Sequence, residues 1–308
     1  MCIRDSYYYG AKGDVDRAIM DAPATCGTQL VVDLFEGNIH FDVATLIEYV
    51  EIGFRKEYEY EWLVEAFGFD RLNQAFNDII HQYLLDIVIN FGSVWDFVPP
   101  DKYEEFKAKY LDPVENAELI AKSDEMHYNA MAHMSEGLKR AQDAGTKIAI
   151  IANTEHDIGT STGVNSDYII DVHSASGAYC APFGEKFPAD YKEQNTVCND
   201  PTHWHISPER DIDASCAYLP ENTWFVNGQF HGMCPWDRYT RNFYLTFFFT
   251  DRITDVYSDP EFPQFNLGQN PANGLYAVFD KSPSGFHTSK DTALTIESLS
   301  EQYDTEII

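Results

Sequence analysis

Short apolar runs alternate with helical patterns along this chain, and this alternation constrains its fold more than any other feature. Residues 16–23 (DRAIMDAP), residues 147–152 (KIAIIA) and Thr223–Asn227 (TWFVN) each have the composition of a buried strand. An amphipathic segment, 134–145 (MSEGLKRAQDAG), precedes the second run and ends on Gly145, as helices commonly do. A helix followed by a buried strand is typical of a parallel crossover, so we predict an α/β fold with a parallel sheet.

A long helical block separates the first two of these runs. From about residue 33 to residue 144, apolar residues recur at three- and four-residue spacing, as in amphipathic helices. We therefore expect residues 34–135 to be a helical cap inserted into an α/β core. The core would comprise residues 7–33 and 136–250. Residues 251–308 would form a C-terminal extension that either contains a small β-rich segment or covers the sheet.

Charge and hydropathy exclude several classes of partner. The chain has 50 acidic and 21 basic residues, a formal net charge of −29, so its field repels phosphate backbones. We expect no nucleic-acid partner. The apolar runs are shorter than the roughly 20 residues that cross a bilayer, so we also expect no transmembrane segment.

The six cysteines bear on the cellular compartment. Four of them lie in one loop-rich stretch and are compatible with two disulfides in three pairings: Cys180, Cys198, Cys216 and Cys234. Disulfides and an acidic, aromatic-rich chain favour a secreted or cell-surface protein. Free buried thiols in a cytoplasmic protein are the alternative interpretation.

Residues 1–6 (MCIRDS) resemble translated adapter sequence from the preparation of sequencing libraries. We therefore treat them as a non-native scar, outside the fold. The natural N-terminus is expected to be missing.

Polar residues directly after the predicted strands are candidates for chemistry, because ligands bind beyond the carboxyl ends of parallel strands. Asp157 and Asp167 follow the second strand, and His231 with Gly232 follows the third. A carboxylate can hold an imidazole in one tautomer and stabilise its protonated form. The neighbourhood of Asp167 favours it as the acid, with Asp157 as the alternative. In the alternative, purely structural interpretation, the two aspartates cap turns and the histidine lies on the surface.

Two segments carry a family resemblance. Residues 166–178 (SDYIIDVHSASGA) resemble the acid-bearing stretch of bacterial triacylglycerol lipases and related esterases, and residues 219–232 (LPENTWFVNGQFHG) resemble their last strand and histidine loop. Residues 93–103 and 127–131 resemble lid segments of lipase-like members. The resemblance, which extends from about residue 7 to about residue 250, is to the α/β-hydrolase superfamily.

The resemblance implies a serine hydrolase that cleaves carboxylic esters through a Ser-Asp-His triad. His231 would act as base and then acid, oriented by Asp167 or Asp157. The family places its Gly-x-Ser-x-Gly nucleophile elbow just before the helix that precedes residues 16–23. We expect no Gly-x-Ser-x-Gly segment anywhere in this chain, so we expect the nucleophile to be missing and the fragment to be inactive.

The expected partner is a small-molecule ester or lipid substrate, and no cofactor or metal is predicted. Cys198, His203 and His205 match no tight zinc-ligand spacing. Two other functions stay open: a non-catalytic hydrolase-like binding protein, and a peptidase or thioesterase of the same fold.

Overall fold

The structure is a computed structural model. The residues it describes are 15–38, 66–79, 85–154, 156–157, 164–197, 205–227, 231, 238–266, 278–279 and 286–287.

A parallel sheet organises the fold. Its strands are β1 (Arg17–Asp21), β2 (Lys147–Thr154), β3 (Thr223–Asn227) and the two-residue β4 (Phe265–Asn266), in the spatial order β1-β2-β3-β4. All three neighbouring pairs are parallel. The three predicted strands are confirmed, and β2 extends two residues further than the apolar run because Asn153 and Thr154 continue its pairing with β3.

Nine α-helices are described, and they surround the sheet or form the helical block. In chain order they are α1 (Gln29–Glu36), α2 (Phe69–Ile79), α3 (Leu85–Ile89), α4 (Gly92–Trp95), α5 (Pro100–Tyr110), α6 (Ala117–Glu125), α7 (Met134–Asp143), α8 (Val172–Ser176) and α9 (Arg238–Phe249). None of these helices is long and apolar enough to cross a membrane.

Helices cover both faces of the sheet. Alternate residues Ala149 and Ile151 of β2 pack in one cluster with Phe243 of α9. Ile148 and Ile150 point the other way and pack with α7. Strands β2 and β3 are buried on both faces, which is why they are continuous apolar runs in the sequence, whereas β1 is half-buried along its length. The molecule is therefore of the α/β class.

The helical block has an apolar cluster of its own. Val32 and Phe35 of α1 pack against Trp95 and Phe106, and the rings of Phe35 and Phe106 stack with centroids 5.1 Å apart. Helix α1 thus belongs by packing to the block, although it crosses the boundary expected between residues 33 and 34. Its amphipathic sequence explains this, since its buried face needs a partner away from the sheet.

The extension expected at 251–308 contributes to the main sheet through β4. Further along, Val278–Phe279 and Phe286–His287 form an antiparallel pair. The other residues after 266 lie outside the described part of the chain.

Candidate active site

Asp167 lies in a tight turn after a short strand pair that follows β2. His156–Asp157 pairs antiparallel with Asn165–Ser166, and the chain then turns. The Asp167 carboxylate is buried, 1% exposed, and its Oδ1 accepts hydrogen bonds from the backbone N–H groups of Ile169 (3.0 Å) and Ile170 (2.7 Å). A short polar side chain that bonds to the backbone two and three residues later is a common way to build such a turn.

His231 contacts the other oxygen of this carboxylate. Its Nδ1 lies 2.9 Å from Asp167 Oδ2, and its backbone N–H donates to the Asp167 carbonyl oxygen at 3.0 Å. Two bonds therefore fix the histidine to one residue, and Asp167 accepts three donors on its two carboxylate oxygens. That satisfies the charge of a buried carboxylate. The imidazole itself is 34% exposed.

The contact defines the chemistry of the ring. A carboxylate only accepts hydrogen bonds, so Nδ1 carries the proton in the neutral imidazole and Nε2 holds the basic lone pair. Burial lowers the pKa of His231, but the hydrogen bond and charge of Asp167 and the charge of Asp21 outweigh it, so the pKa is raised above 6.5. The pair is thus arranged to take up a proton at Nε2.

The acid-bearing turn is anchored to the loop between β1 and α1. Asp171 caps α8 by accepting from Ser174 N and Oγ, both at 2.8 Å, and it also accepts from Gln29 N at 3.0 Å. Thr28 Oγ1 donates to the carbonyl of Ile169 at 2.6 Å. The backbone that follows Asp167 is therefore held at two points, Ile169 and Asp171, which favours a fixed position for the carboxylate.

Sequence analysis missed Asp21, the last residue of β1. The Tyr244 hydroxyl of α9 donates to Asp21 Oδ2, and the Asp21 charge acts on His231. The rule that found Asp167 and His231 applies here too, because Asp21 is a polar residue at the carboxyl end of a buried strand. It was missed because it was counted as part of the strand.

The alternative acid, Asp157, lies in the two-residue strand that pairs with Asn165–Ser166. Its side chain is outside the described structure. Of the two candidate acids, Asp167 is the one that the structure places against His231.

The expectation that the chain contains no Gly-x-Ser-x-Gly segment is wrong, because residues 159–163 (GTSTG) match the pattern. The segment connects two antiparallel strands. A nucleophile elbow instead connects a strand to a helix, so the context differs from that of the family. Residues 158–163 lie outside the described structure, which therefore does not position Ser161.

Cys180 and Cys216, two of the four cysteines considered for disulfides, are free thiols in the structure. Burial raises the pKa of both thiols. Cys198 and Cys234 lie outside the described residues.

His205 is a buried structural histidine. Its Nδ1 lies 2.9 Å from Gln264 Oε1, and its Nε2 lies 2.8 Å from the Tyr257 hydroxyl. Among the described residues no group of three histidines, cysteines or carboxylates is placed to hold a metal ion.

Comparison of the chain with protein-family models, with curated proteins and with solved structures gave no match.

Proposed function

We propose that His231 and Asp167 are the base and the acid of a serine hydrolase of the α/β-hydrolase type, acting on carboxylic esters. The 2.9 Å contact between His231 Nδ1 and Asp167 Oδ2 carries the proposal. The two residues follow successive parallel strands, as the acid and histidine of that fold do. The family resemblance of the two segments supports the same assignment.

In the proposed reaction, His231 Nε2 takes the proton of the nucleophilic hydroxyl while the oxygen of that hydroxyl bonds to the ester carbonyl carbon. The same nitrogen then returns the proton to the alcohol oxygen as the carbon–oxygen bond breaks. A water molecule then attacks the acyl carbon while His231 Nε2 takes its proton. The nitrogen returns this proton to the nucleophile oxygen as the acyl–oxygen bond breaks, which releases the carboxylic acid product. Asp167 holds the ring and stabilises its charged form at each step.

The order nucleophile, acid, histidine requires a nucleophile before Asp167 in the chain. The family resemblance places it N-terminal to β1. Residues 1–16 contain no Gly-x-Ser-x-Gly segment, so we expect no covalent labelling of the 308-residue chain by a fluorophosphonate. Labelling of Ser161 would instead place the nucleophile in the 159–163 segment and contradict this part of the proposal.

The decisive experiment reads the source DNA upstream of the codon for Tyr7 and expresses the reading frame that this read defines. We expect fluorophosphonate labelling of one serine and hydrolysis of p-nitrophenyl esters, both reduced about 10⁴-fold by Asp167→Asn. His231→Gln should do the same, and Asp251→Asn, which removes an exposed carboxylate elsewhere, is the matched control. Unchanged rates in the first two variants would refute the proposal.

The type of bond that is cleaved can be tested in the same protein. Esters, thioesters and peptides of matched acyl group separate an esterase from a thioesterase or peptidase, because the fold alone does not select the bond. We expect esters to give the highest kcat/KM. A higher kcat/KM for a thioester or a peptide would assign the bond to that class.

A further inference from the structure

One peptide group connects Thr28 to the buried acid. The backbone N–H of Ile170 donates to Asp167 Oδ1 at 2.7 Å. At the other side of the same peptide bond, the Ile169 carbonyl accepts a hydrogen bond from Thr28 Oγ1 at 2.6 Å. A peptide group is planar and almost rigid. A side chain that holds its carbonyl oxygen therefore also sets the direction in which its N–H points.

The same carboxylate continues the connection to the imidazole. Asp167 accepts from the Ile170 N–H through Oδ1 and contacts His231 Nδ1 through Oδ2. The two oxygens belong to one planar group, so a displacement at Oδ1 is also a displacement at Oδ2. Three hydrogen bonds thus connect the Thr28 hydroxyl to the histidine ring.

Thr28 is itself held in place at the start of α1. It is buried, 3% exposed, and its backbone N–H donates to the Phe97 carbonyl at 2.9 Å. As the N-cap residue of α1, it accepts the backbone N–H of Leu30 on Oγ1 at 3.2 Å. The hydroxyl has a single proton, and the Ile169 carbonyl can only accept, so that proton is directed at the carbonyl.

We propose that Thr28 is a positioning residue for the catalytic acid, which holds the Asp167 carboxylate against His231 Nδ1 through this peptide group. This inference rests on the proposed function. The carboxylate must stay within hydrogen-bonding reach while the ring gains and loses its proton. The turn that carries it contains a strained residue, Tyr168, and such a conformation persists where the surrounding structure restrains it. Thr28 supplies a restraint from outside the turn.

In the competing interpretation, Thr28 only caps α1. A lost cap lowers stability and leaves the histidine ring unchanged. A lost positioning contact changes the ring itself, because the carboxylate that binds the Nδ1 proton is then free to move. The Nδ1 proton exchanges faster with water, and more of the neutral ring carries its proton on Nε2.

The test observes the His231 ring of the 308-residue chain by NMR, at a pH above its pKa. We expect Thr28→Val, which has the shape of threonine without the hydroxyl, to accelerate exchange of the Nδ1 proton about fivefold, the equivalent of one hydrogen bond. Thr28→Ser keeps the hydroxyl and should exchange like the wild type. Thr146→Val is the matched control, because the buried Thr146 hydroxyl also donates to a backbone carbonyl, that of Val15 at 2.7 Å.

Wild-type exchange and a wild-type tautomer ratio in Thr28→Val would overturn the inference, and lower stability of that variant would then assign Thr28 to the cap. Equal acceleration in Thr146→Val, or in Thr28→Ser, would also overturn it. If Thr28→Val does not fold, Thr28→Ala, which is smaller and also lacks the donor, replaces it. The proposed function fails separately, when Asp167→Asn and His231→Gln leave ester hydrolysis unchanged.

Discussion

Tyr168, directly after the buried acid, has a left-handed backbone conformation with φ of 75°. The left-handed conformation costs an L-residue with a side chain about 1–2 kcal/mol, whereas it costs glycine almost nothing. The strain is imposed by the turn in which Asp167 Oδ1 binds the N–H groups of Ile169 and Ile170. The turn that places the acid therefore costs stability.

We predict that Tyr168→Gly is more stable than Tyr168→Ala by about 1 kcal/mol, because both lose the ring and only alanine keeps the backbone penalty. Urea denaturation monitored by circular dichroism measures the difference. Equal stabilities would show that the turn relaxes when the ring is removed.

Individual residues also show which parts of the candidate site could be predicted from the sequence. The strand-end rule selected Asp167 and His231 as candidates because each comes after a clear apolar run, and the structure places their side chains 2.9 Å apart. The same rule could not choose between Asp157 and Asp167, because the choice depends on a turn whose geometry is set by backbone hydrogen bonds. Asp21 satisfies the same rule, but it was counted as part of the strand that it ends.

Among the elements, the turn from β1 into α1 makes a close backbone contact with the start of α5. Gly27 has φ of 82°, and a Cβ on it would lie 2.5 Å from Pro99 N. Thr28 N donates to the Phe97 carbonyl at 2.9 Å in the same contact. The helical block is thus docked on the core at a place where no side chain fits.

Gly27→Ala should lower the free energy of unfolding by about 3 kcal/mol, from the clash together with the left-handed backbone. Gly184, with φ of 78° and no atom within 4 Å of the point that a Cβ would occupy, is the matched control. Gly184→Ala should cost only the backbone part, about 1 kcal/mol. Similar losses in the two variants, measured by chemical denaturation, would contradict a tight contact at Gly27.

A buried histidine links three elements of the helical block. His127, 2% exposed, lies in a π-helical turn (Met126–Ala130) after α6, and its Nε2–H donates to the Trp95 carbonyl at 2.9 Å. Its ring stacks on Tyr103 of α5 with centroids 3.7 Å apart. Its Nδ1 is buried and has no hydrogen-bond partner within the described part of the chain.

The pKa of His127 is lowered below 6.5, chiefly by burial, although Asp124 and Glu104 oppose the shift. Between pH 6.5 and the lowered value, the unfolded chain binds a proton that the folded chain does not. Stability conferred by the neutral ring is therefore lost as pH falls below 6.5.

We predict that His127→Phe, which keeps a stacking ring, flattens the decrease in stability between pH 6.5 and pH 5. It should also cost about 1 kcal/mol at pH 8 through the lost hydrogen bond. His133→Phe, at an exposed histidine, is the control and should keep the wild-type pH dependence. Urea denaturation at each pH measures the free energy of unfolding. If that free energy decreases with falling pH as steeply in His127→Phe as in the wild type, His127 is not the cause of the decrease.

At the scale of the whole molecule, the α/β class and its three longer strands were predictable from the sequence. Strands buried on both faces have no polar alternation, so their apolar runs stand out against the helical patterns. Strand β4 and the two-residue pairs were not predictable, because two residues show no periodicity. The packing partner of α1 was not predictable either: its apolar face is buried against Trp95 rather than against the sheet, and an amphipathic pattern does not identify the partner.

The proposed hydrolase site depends on one arrangement, in which the segments after two successive strands bring His231 Nδ1 to the buried carboxylate of Asp167. The arrangement makes a claim about a single proton. At a pH above its pKa, the neutral ring should carry its proton on Nδ1 and leave Nε2 basic, because the carboxylate can only accept.

Long-range ¹H–¹⁵N correlation spectra of the His231 ring measure this most directly. We predict the Nδ1–H tautomer in the 308-residue chain, with a pKa above 6.5, and a lower pKa in Asp167→Asn. An Nε2–H tautomer in the wild type, or a His231 titration that Asp167→Asn leaves unchanged, would contradict the pairing on which the proposed hydrolase depends.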